Sequence, residues 1–313
     1  MTRGLEVLRT GPLVTVQDRG RAGLAHLGVS RSGAADRAAL ARANRLVGNV
    51  PGAAALEVLL GGLEVRATAH LVVAVSGALC PIAVDDRPAA PESVLDLAPG
   101  CRLTLGTATG GLRAYVAVRG GLAVVPVLGS RSRDTLAGLG PEPVRVGDLL
   151  PVGPSPGADV AGWPLVDHAP LAPPPGPHDV VVLRALLGPR ADLLDGASAS
   201  RVWEQTWQVS PDSDRVGVRL AGHPLGTLTA AELPSEPLVR GAVQVPPGGR
   251  PVLFLADHPV TGGYPVVAVV LDADTNLLGQ LRPGQPVRLR RVRAAGRAAT
   301  PVRPDLRCPW WAW

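Results

Sequence analysis

The densest set of chemically capable side chains lies in a glycine-rich stretch near the N-terminus, TVQDRGRAGLAHLGVSRSGAADR, at residues 15–37. This stretch contains Asp18, Arg19, His26, Ser32 and Asp36. Guanidinium groups, backbone N–H groups and a helix N-terminus together suit an anionic group such as a phosphate or a carboxylate. The structural alternative is that Ser32 caps a helix, Asp18 pairs with a neighbouring arginine and the glycines form turns. Composition leaves both interpretations open.

A second polar cluster, LADHPVTGGYP at residues 255–265, follows an apolar segment. Asp257 and His258 are adjacent in it, and consecutive side chains of a strand point to opposite faces. The two side chains therefore do not face one substrate if the strand continues. No set of His, Cys, Asp and Glu residues has the spacing of metal ligands, so the sequence predicts no metal site.

Composition excludes several kinds of chemistry. All 31 basic residues are arginine, so the chain has no lysine for a P-loop, a Schiff base or a Ser-Lys dyad. The net charge is +5, but the arginines are scattered and aromatic residues amount to 3%, which does not predict a nucleic-acid surface. Three cysteines without C-x-x-C spacing indicate a reducing compartment, and no apolar run approaches the ~20 residues of a membrane span. The sequence therefore predicts a cytoplasmic protein without a membrane or nucleic-acid partner.

The elements that must position these residues are mainly strands. Between Glu57 and Asp148, short apolar segments alternate with Gly or Pro, a pattern typical of sandwiches and barrels. The consecutive glycines Gly61 and Gly62 are predicted to form a hairpin loop, because glycine adopts the positive φ that such loops need.

One helix is predicted at residues 34–47, where apolar residues recur on one face. Beyond residue 178 the strand pattern resumes, and the segment RVWEQTWQVS at 201–210 is predicted to be one of these strands. A short helix is expected near residues 190–194.

The length of 313 residues suggests two domains, and nine prolines between Pro151 and His178 predict an extended linker. The last residues, RCPWWAW, contain three of the six tryptophans, which predicts packing on the protein itself or on a partner. The predicted organisation is an N-terminal β-barrel domain at 1–150 with the helix at 34–47, a linker at 151–178, a C-terminal β-barrel domain at 179–293 and a tail at 294–313.

Several motifs in series resemble one family. They are the stretch from Gly11 to Asn49, ALE at 55–57, YVAVRGGLAVVPVLGSRSRDTLAGLG at 115–140 with Gly147 and Asp148, RVGVRLAG at 215–222, GAVQVPPGGRPVLFLADHPVTGGYP at 241–265 and LGQLRPGQPVRLR at 278–290. In this order they resemble the KipA-like family, also called allophanate hydrolase subunit 2 or the biotin-dependent carboxyltransferase family. The resemblance covers nearly the whole chain apart from the linker and the tail.

The resemblance implies two cyclophilin-like β-barrel domains, with one helix after the N-terminal glycine-rich loop. It also implies a role as one component, inactive alone, of an ATP-dependent 5-oxoprolinase, which opens the lactam of 5-oxo-L-proline to L-glutamate. The implied cofactor is ATP with Mg, and the implied partners are the other two 5-oxoprolinase subunits, a KipI-like B-type chain and an A-type chain. Phosphorylation of an amide oxygen produces a species that water can attack, so the coupling to ATP is chemically reasonable.

The resemblance further implies a set of site residues. Asp18, His26 and Asp36 are the candidate catalytic residues. The candidate substrate- or phosphate-binding residues are Arg19, Ser32, Asn44, Arg215, Gln244, Thr261, Gly262, Gly263 and Tyr264. The sequence departs from the usual family pattern at Ser30, at Asp214 and at residues 258–260.

Two other functions fit the same family. The first is a biotin-dependent carboxyltransferase component that acts on urea or a similar small amide. Its biotin would be carried by another chain, because this chain has no lysine to biotinylate. The second is a non-catalytic regulator that binds a KipI-like kinase inhibitor.

Overall fold

The computed structural model describes residues 3–155, 167–171, 173–228 and 233–293. Within these residues the protein is mainly β, as predicted, with twenty strands and three α-helices. The Trp-rich tail and part of the predicted linker, residues 156–166 and 172, lie outside the described residues. The predicted domain boundaries stay predictions.

The first half of the protein, residues 3–155, contains two antiparallel sheets. Its strands are β1 (Gly4–Arg9), β2 (Leu13–Gln17), β3 (Ala55–Leu59), β4 (Glu64–Ala67), β5 (Leu71–Leu79), β6 (Ile82–Val84), β7 (Arg87–Ala89), β8 (Val94–Leu97), β9 (Arg102–Leu105), β10 (Gly110–Val118) and β11 (Leu149–Pro151). The six-stranded sheet has the order β11-β1-β4-β9-β6-β7 and the five-stranded sheet β2-β3-β10-β5-β8. Apolar side chains of both sheets form one continuous core. Gly61 and Gly62 both have the predicted positive φ, 78°, but the prediction of a hairpin is wrong, because β3 and β4 belong to different sheets and the two glycines connect these sheets.

The helix of this half, α1 (Arg37–Leu46), packs on the outer face of the five-stranded sheet. All nine residues of β10 are buried, because one of its faces contacts the core between the sheets and the other contacts α1. The helix lies within the predicted range but begins three residues later than expected. Asp36 is its N-cap and accepts a hydrogen bond from Ala39 N. Ser32, considered as a cap from the sequence, has a φ of 54° and lies before the helix.

The second half, residues 179–293, is built on a closed seven-stranded barrel. The described part of this half contains nine strands, seven of them in the barrel. They are β12 (Val181–Leu187), β13 (Trp207–Val209), β14 (Gly217–Ala221), β15 (Glu236–Pro237), β16 (Ala242–Gln244), β17 (Val252–Phe254), β18 (Thr261–Gly262), β19 (Val266–Val270) and β20 (Pro286–Arg291). The barrel order is β12-β19-β16-β17-β14-β13-β20, and a parallel pairing of β12 with β20 closes it. The strands β15 and β18 form a separate two-stranded ribbon.

The second half also contains α2 (Gly196–Glu204) and α3 (Thr275–Leu278). The prediction of a strand across residues 201–210 is wrong at its start, because residues 201–204 belong to α2 and the strand begins at Trp207. Asp195 caps α2 by accepting a hydrogen bond from Ser198 N, at 2.7 Å. The short helix expected near 190–194 is a 3-10 turn at Ala191–Leu193. None of the helices in the described ranges is long and apolar enough to cross a membrane.

Candidate functional site

A buried arginine joins the two halves. Arg215 precedes β14, and its guanidinium donates two hydrogen bonds to Asp257, from Nε to Oδ2 at 2.9 Å and from Nη2 to Oδ1 at 3.0 Å. The same guanidinium donates to the carbonyl of Gly33 at 2.6 Å and to the carboxylate of Glu57. Asp257 belongs to the second half, whereas Gly33 and Glu57 belong to the first. Arg215 therefore connects the halves through charge-assisted hydrogen bonds.

The carboxylates of Glu57 and Asp257, which accept hydrogen bonds from Arg215, also accept hydrogen bonds from other donors. Glu57 Oε2 accepts from Ala35 N at 2.9 Å and from the Tyr115 hydroxyl at 2.7 Å. Asp257 Oδ1 accepts from the Ser32 hydroxyl at 2.6 Å. Both the N–H and the hydroxyl of Thr135 donate to Asp257 Oδ2, at 2.9 and 2.7 Å. Every carboxylate oxygen of the pair is thus satisfied, as buried charges require.

Two carboxylates, of Glu57 and Asp257, and two guanidinium groups, of Arg113 and Arg215, meet here, so their charges balance. Burial by itself would raise the pKa of Glu57, but the charges of Arg215 and Arg113 together with the hydrogen bonds from Ala35 and Tyr115 outweigh burial, so this pKa lies below its ordinary value. Burial is also the largest single influence on Asp257, but the charge and hydrogen bonds of Arg215 together with the hydrogen bonds from Ser32 and Thr135 lower its pKa below the ordinary value. Arg113 lies 3.4 Å from Glu57 and donates to the carbonyl of Gly279 at 2.7 Å. We call Glu57, Arg113, Arg215 and Asp257 the buried ion network.

Gln280 adds a second connection between the halves. Its Oε1 accepts from the N–H groups of Leu112 and Arg113, at 2.9 and 3.1 Å, and its Nε2 donates to Asp36 Oδ2 at 2.8 Å. The side chain is 4% exposed, so loss of these bonds would leave buried polar groups unpaired.

A cleft of about 510 Å³ borders the buried ion network. Arg113 and Arg215 lie at its wall, and apolar side chains of both halves provide most of the remaining lining. These apolar residues are Leu13, Leu59, Leu60, Leu112, Leu136, Val216, Val218, Leu278 and Leu281. Ser213 and Asp214 add a polar edge. A largely apolar cleft with a few polar groups at an interface between domains is a common form of small-molecule site.

Four consecutive backbone N–H groups at the start of α1 already have partners. Ala34 N donates to the carbonyl of Asp18, Ala35 N to Glu57, Asp36 N to the Tyr115 hydroxyl and Arg37 N to the amide oxygen of Asn276. Each of these N–H groups therefore already has a partner within the protein. This helix end does not fit a nucleotide phosphate in the way that a glycine-rich phosphate loop does.

The three candidate catalytic residues lie in different surroundings. Asp18 accepts hydrogen bonds from Gly20 N, Ser130 Oγ, Ser132 Oγ and Arg131 N, between 2.5 and 2.7 Å, and so anchors the loop at 130–132. Asp36 caps α1 and bonds Gln280. His26 is exposed on a 3-10 turn.

The candidate binding residues fall into three groups. Ser32 and Arg215 meet at Asp257, next to the cleft. The side chain of Gln244 donates a hydrogen bond to the carbonyl of Tyr264 at 3.0 Å. Thr261 and Gly262 form β18, and Gly263 follows it directly. Arg19 is exposed, and the side chain of Asn44 is buried, where its Nδ2 donates to the carbonyl of Ala53 at 2.8 Å.

Sequence reasoning missed most of the buried ion network. Glu57 and Arg113 were not selected as site residues, although each is a charged residue within an otherwise apolar strand. A charged residue within an apolar strand was the available signal for an ion pair, because a buried charge needs a partner. Among the described residues, no group of three His, Cys, Asp or Glu side chains lies close enough together to hold a metal ion.

Residues 27–291 match the sequence profile of the family described as carboxyltransferase domain, subdomain A and B. The chain belongs to this family. Within it, the chain is 39% identical to the 5-oxoprolinase C subunit of Escherichia coli, over 90% of this chain and 89% of that protein. It is 32% identical to the 5-oxoprolinase C subunit of Haemophilus influenzae, over 92% of this chain and 91% of that protein. It is also 31% identical to the urea amidolyase of Lachancea kluyveri, of which it covers 16%.

Solved structures agree with this family. This carboxyltransferase-family chain superposes on TTHA0988 with a TM-score of 0.81, at 35% identity, over 92% of its own length and 55% of that chain. On the urea carboxylase of Kluyveromyces lactis the TM-score is 0.83, at 30% identity, over 92% of this chain and 27% of the other. The chain therefore spans about half the length of TTHA0988.

Proposed function

We propose that this protein is the C-type component of a 5-oxoprolinase, which hydrolyses 5-oxo-L-proline to L-glutamate together with a KipI-like B-type chain and an A-type chain. The observation that carries the proposal is the 39% identity to the Escherichia coli 5-oxoprolinase C subunit over about nine-tenths of both chains. The chain is also similar to proteins named urea amidolyase, which motivates the second candidate below.

The cleft beside the buried ion network supports binding of a small cyclic amide. Leucine and valine side chains from both halves suit the methylene groups of a lactam ring, and Ser213 and Asp214 supply a polar edge. Arg113 and Arg215 lie at the wall, where their charges are paired with Glu57 and Asp257, so the network gives the cleft a fixed polar wall rather than an unpaired positive charge.

ATP with Mg, when bound to the complex, would supply the activation of the amide by phosphorylation of its oxygen. The N–H groups of Ala34, Ala35, Asp36 and Arg37 are engaged within the protein, so these groups do not fit the phosphates of ATP. We therefore assign amide binding to this chain.

The second candidate is a carboxyltransferase component that acts on urea or a similar amide. The 31% identity to the urea amidolyase of Lachancea kluyveri favours it. In that case biotin is attached to another chain, since this one has no lysine. The same cleft would receive the amide.

Reconstitution tests the proposal. The purified chain, combined with its A-type and B-type partner chains, ATP and Mg, is expected to release glutamate from 5-oxo-L-proline only when all three chains are present. Equal release without this chain would overturn the proposal. Carboxylation of urea with a biotinylated partner would support the second candidate, and a tight complex with the KipI-like chain without turnover would support the regulatory function.

A matched pair of variants tests the cleft itself. Leu136 lines the cleft and is 51% exposed, whereas Leu149 lies on β11 outside it and is 46% exposed. Leu136→Trp is expected to raise KM in the reconstituted complex by filling the cleft, and Leu149→Trp is expected to leave KM unchanged. Equal effects of the two substitutions would argue against the cleft as the substrate site.

A further inference from the structure

The cleft beside the buried ion network is lined by three charged side chains, those of Arg113, Arg215 and Asp214. Both guanidinium groups are already paired. Arg215 donates hydrogen bonds to Asp257 and Glu57, and Arg113 lies 3.4 Å from Glu57. Asp214 differs, because no arginine or histidine side chain of the described residues lies within ion-pair distance of its carboxylate. The charge of the cleft lining that no counter-charge neutralises is therefore negative.

A tight turn fixes the position of Asp214. Its Oδ1 accepts hydrogen bonds from the N–H groups of Val216 and Gly217, at 2.8 and 3.0 Å, and its own N–H donates to the carbonyl of Gly217 at 3.2 Å. Aspartate commonly holds turns by such bonds to the backbone two residues further on. The turn uses Oδ1 alone, and Oδ2 has no donor in the described part of the chain. One oxygen thus holds the turn, and the other remains available as an acceptor.

The remaining polar side chains of the lining are engaged. The hydroxyl of Ser213 accepts from Arg219 N at 3.0 Å, and the hydroxyl of Thr135 donates to Asp257 at 2.7 Å. Every other lining residue is leucine, valine or proline. An N–H group that leaves water for such surroundings needs an acceptor, and a carboxylate oxygen forms a stronger hydrogen bond than a neutral oxygen does. Oδ2 of Asp214 supplies this acceptor.

We propose that Asp214 selects the ligand of the cleft by accepting a hydrogen bond from an amide N–H, so that the cleft takes small neutral amides with a free N–H group. The inference rests on the cleft being the amide site of the proposed function. An amide nitrogen is conjugated with its carbonyl, so a negative acceptor at the N–H also increases the electron density on the carbonyl oxygen. Asp214 is thus a specificity-determining residue for a lactam and for urea alike.

The same charge predicts how the cleft treats a carboxylate. In 5-oxo-L-proline the carboxylate is attached to the ring carbon next to the nitrogen, so it lies close to any group that binds the N–H. Like charges at short distance repel, and Arg113 and Arg215 are already paired. We therefore expect the isolated chain to bind the neutral ring more tightly than 5-oxo-L-proline. The cation that binds the substrate carboxylate is then expected on another chain of the complex.

Binding of two neutral lactams to the isolated full-length chain, measured by NMR titration, tests the proposal. The probes are 2-pyrrolidinone, which has a free N–H, and N-methyl-2-pyrrolidinone, in which a methyl group replaces that hydrogen. We expect the wild type to bind 2-pyrrolidinone about tenfold more tightly, because methylation removes a hydrogen bond to a charged acceptor. A cleft that binds by apolar contact alone would instead prefer the methylated ring.

Two substitutions assign this preference to one residue. Asp214→Asn preserves the turn, because the amide oxygen can accept from Val216 and Gly217, but it places an NH₂ donor where Oδ2 was the acceptor. This variant is expected to lose the preference for 2-pyrrolidinone and to keep the wild-type Tm. Asp212→Asn is the matched control, since it removes the same charge from an exposed residue that does not line the cleft, and it is expected to bind both lactams as the wild type does.

The proposal is overturned if the wild type binds neither lactam, binds both equally, or binds 5-oxo-L-proline more tightly than 2-pyrrolidinone. These comparisons need no variant, so they hold even if Asp214→Asn does not fold. An unchanged preference in folded Asp214→Asn would also overturn it. The proposed function fails separately: if the three reconstituted chains release no glutamate while the isolated chain still prefers 2-pyrrolidinone through Asp214, the function is wrong and this inference stands.

Discussion

Replacement of Arg215 by methionine tests the buried ion network most directly. The substitution keeps an unbranched side chain but removes the hydrogen bonds to Asp257, to Glu57 and to the carbonyl of Gly33. Glu57 retains Arg113 at 3.4 Å, whereas Asp257 retains only neutral donors among the described residues. The variant therefore contains a buried carboxylate without a counter-charge.

The expected loss of stability is large. Removal of one partner from a buried ion pair costs about 3–5 kcal/mol, because the remaining charge stays out of water without compensation. For a protein of this size, each kcal/mol corresponds to roughly 2–4 °C in melting temperature, so Arg215→Met is expected to lower Tm by about 6–20 °C. Arg219→Met is the matched control, since Arg219 is an exposed residue of β14, and it is expected to change the free energy of unfolding by less than about 0.5 kcal/mol.

The pH dependence identifies the cause. In the wild type the pKa values of Glu57 and Asp257 are lowered, so their contribution to stability is complete above the unfolded-state pKa near 4 and is lost as pH falls toward the folded-state pKa. In Arg215→Met, burial raises the pKa of Asp257, so acid neutralises the unpaired charge and relieves the penalty. The difference in free energy of unfolding between wild type and variant is therefore expected to shrink as pH falls from 7 to 4.

Urea unfolding followed by far-ultraviolet circular dichroism at pH 7, 5.5 and 4 measures this difference. Two results would refute the reasoning. One is a loss at pH 7 no larger than that of Arg219→Met. The other is a difference that grows toward pH 4, since unpaired carboxylates cannot produce it.

Three further predictions concern other positions. Asp18→Asn is expected to lower the free energy of unfolding by about 2 kcal/mol, because Asp18 accepts four hydrogen bonds; lost turnover at unchanged stability would instead support its predicted catalytic role. Gly61→Ala is expected to lower Tm more than Gly100→Ala, since both glycines have positive φ but only the new Cβ at residue 61 would collide with backbone, the carbonyl oxygen of Gly106. Burial raises the pKa of Cys80 to about 11, so iodoacetamide at pH 8 should label it in urea and spare it in the folded protein, as mass spectrometry of its peptide can determine.

Local signals in the sequence predicted much of the fold. The spacing of apolar residues predicted α1, and the paired glycines predicted positive φ after β3, because both features depend only on neighbouring residues. The predicted hairpin was wrong, since which sheet β4 joins depends on distant strands. The helix α2 was missed because its last four residues, RVWE, also fit a short apolar strand. Asp195, three residues before Ser198, was the local signal for a helix N-terminus there.

The site was harder to predict because its members are far apart in the chain. Arg215 and Glu57 are separated by 158 positions and Gln280 and Asp36 by 244. No local pattern pairs such residues, so Arg215 and Ser32 were selected by resemblance while their shared partner Asp257 was not. The closed barrel of the second half likewise depends on a pairing between its first and last strands.

That pairing of β12 with β20 sets an order for folding during synthesis. The first half can complete its six-stranded sheet once β11, ending at Pro151, has left the ribosome and paired with β1. The barrel must wait for β20, which ends at Arg291, because β12 has no partner on that side until then. During this interval the first half carries Glu57 and Arg113 without Arg215 and Asp257, so the emerging second half folds against a surface that already presents the complementary charges.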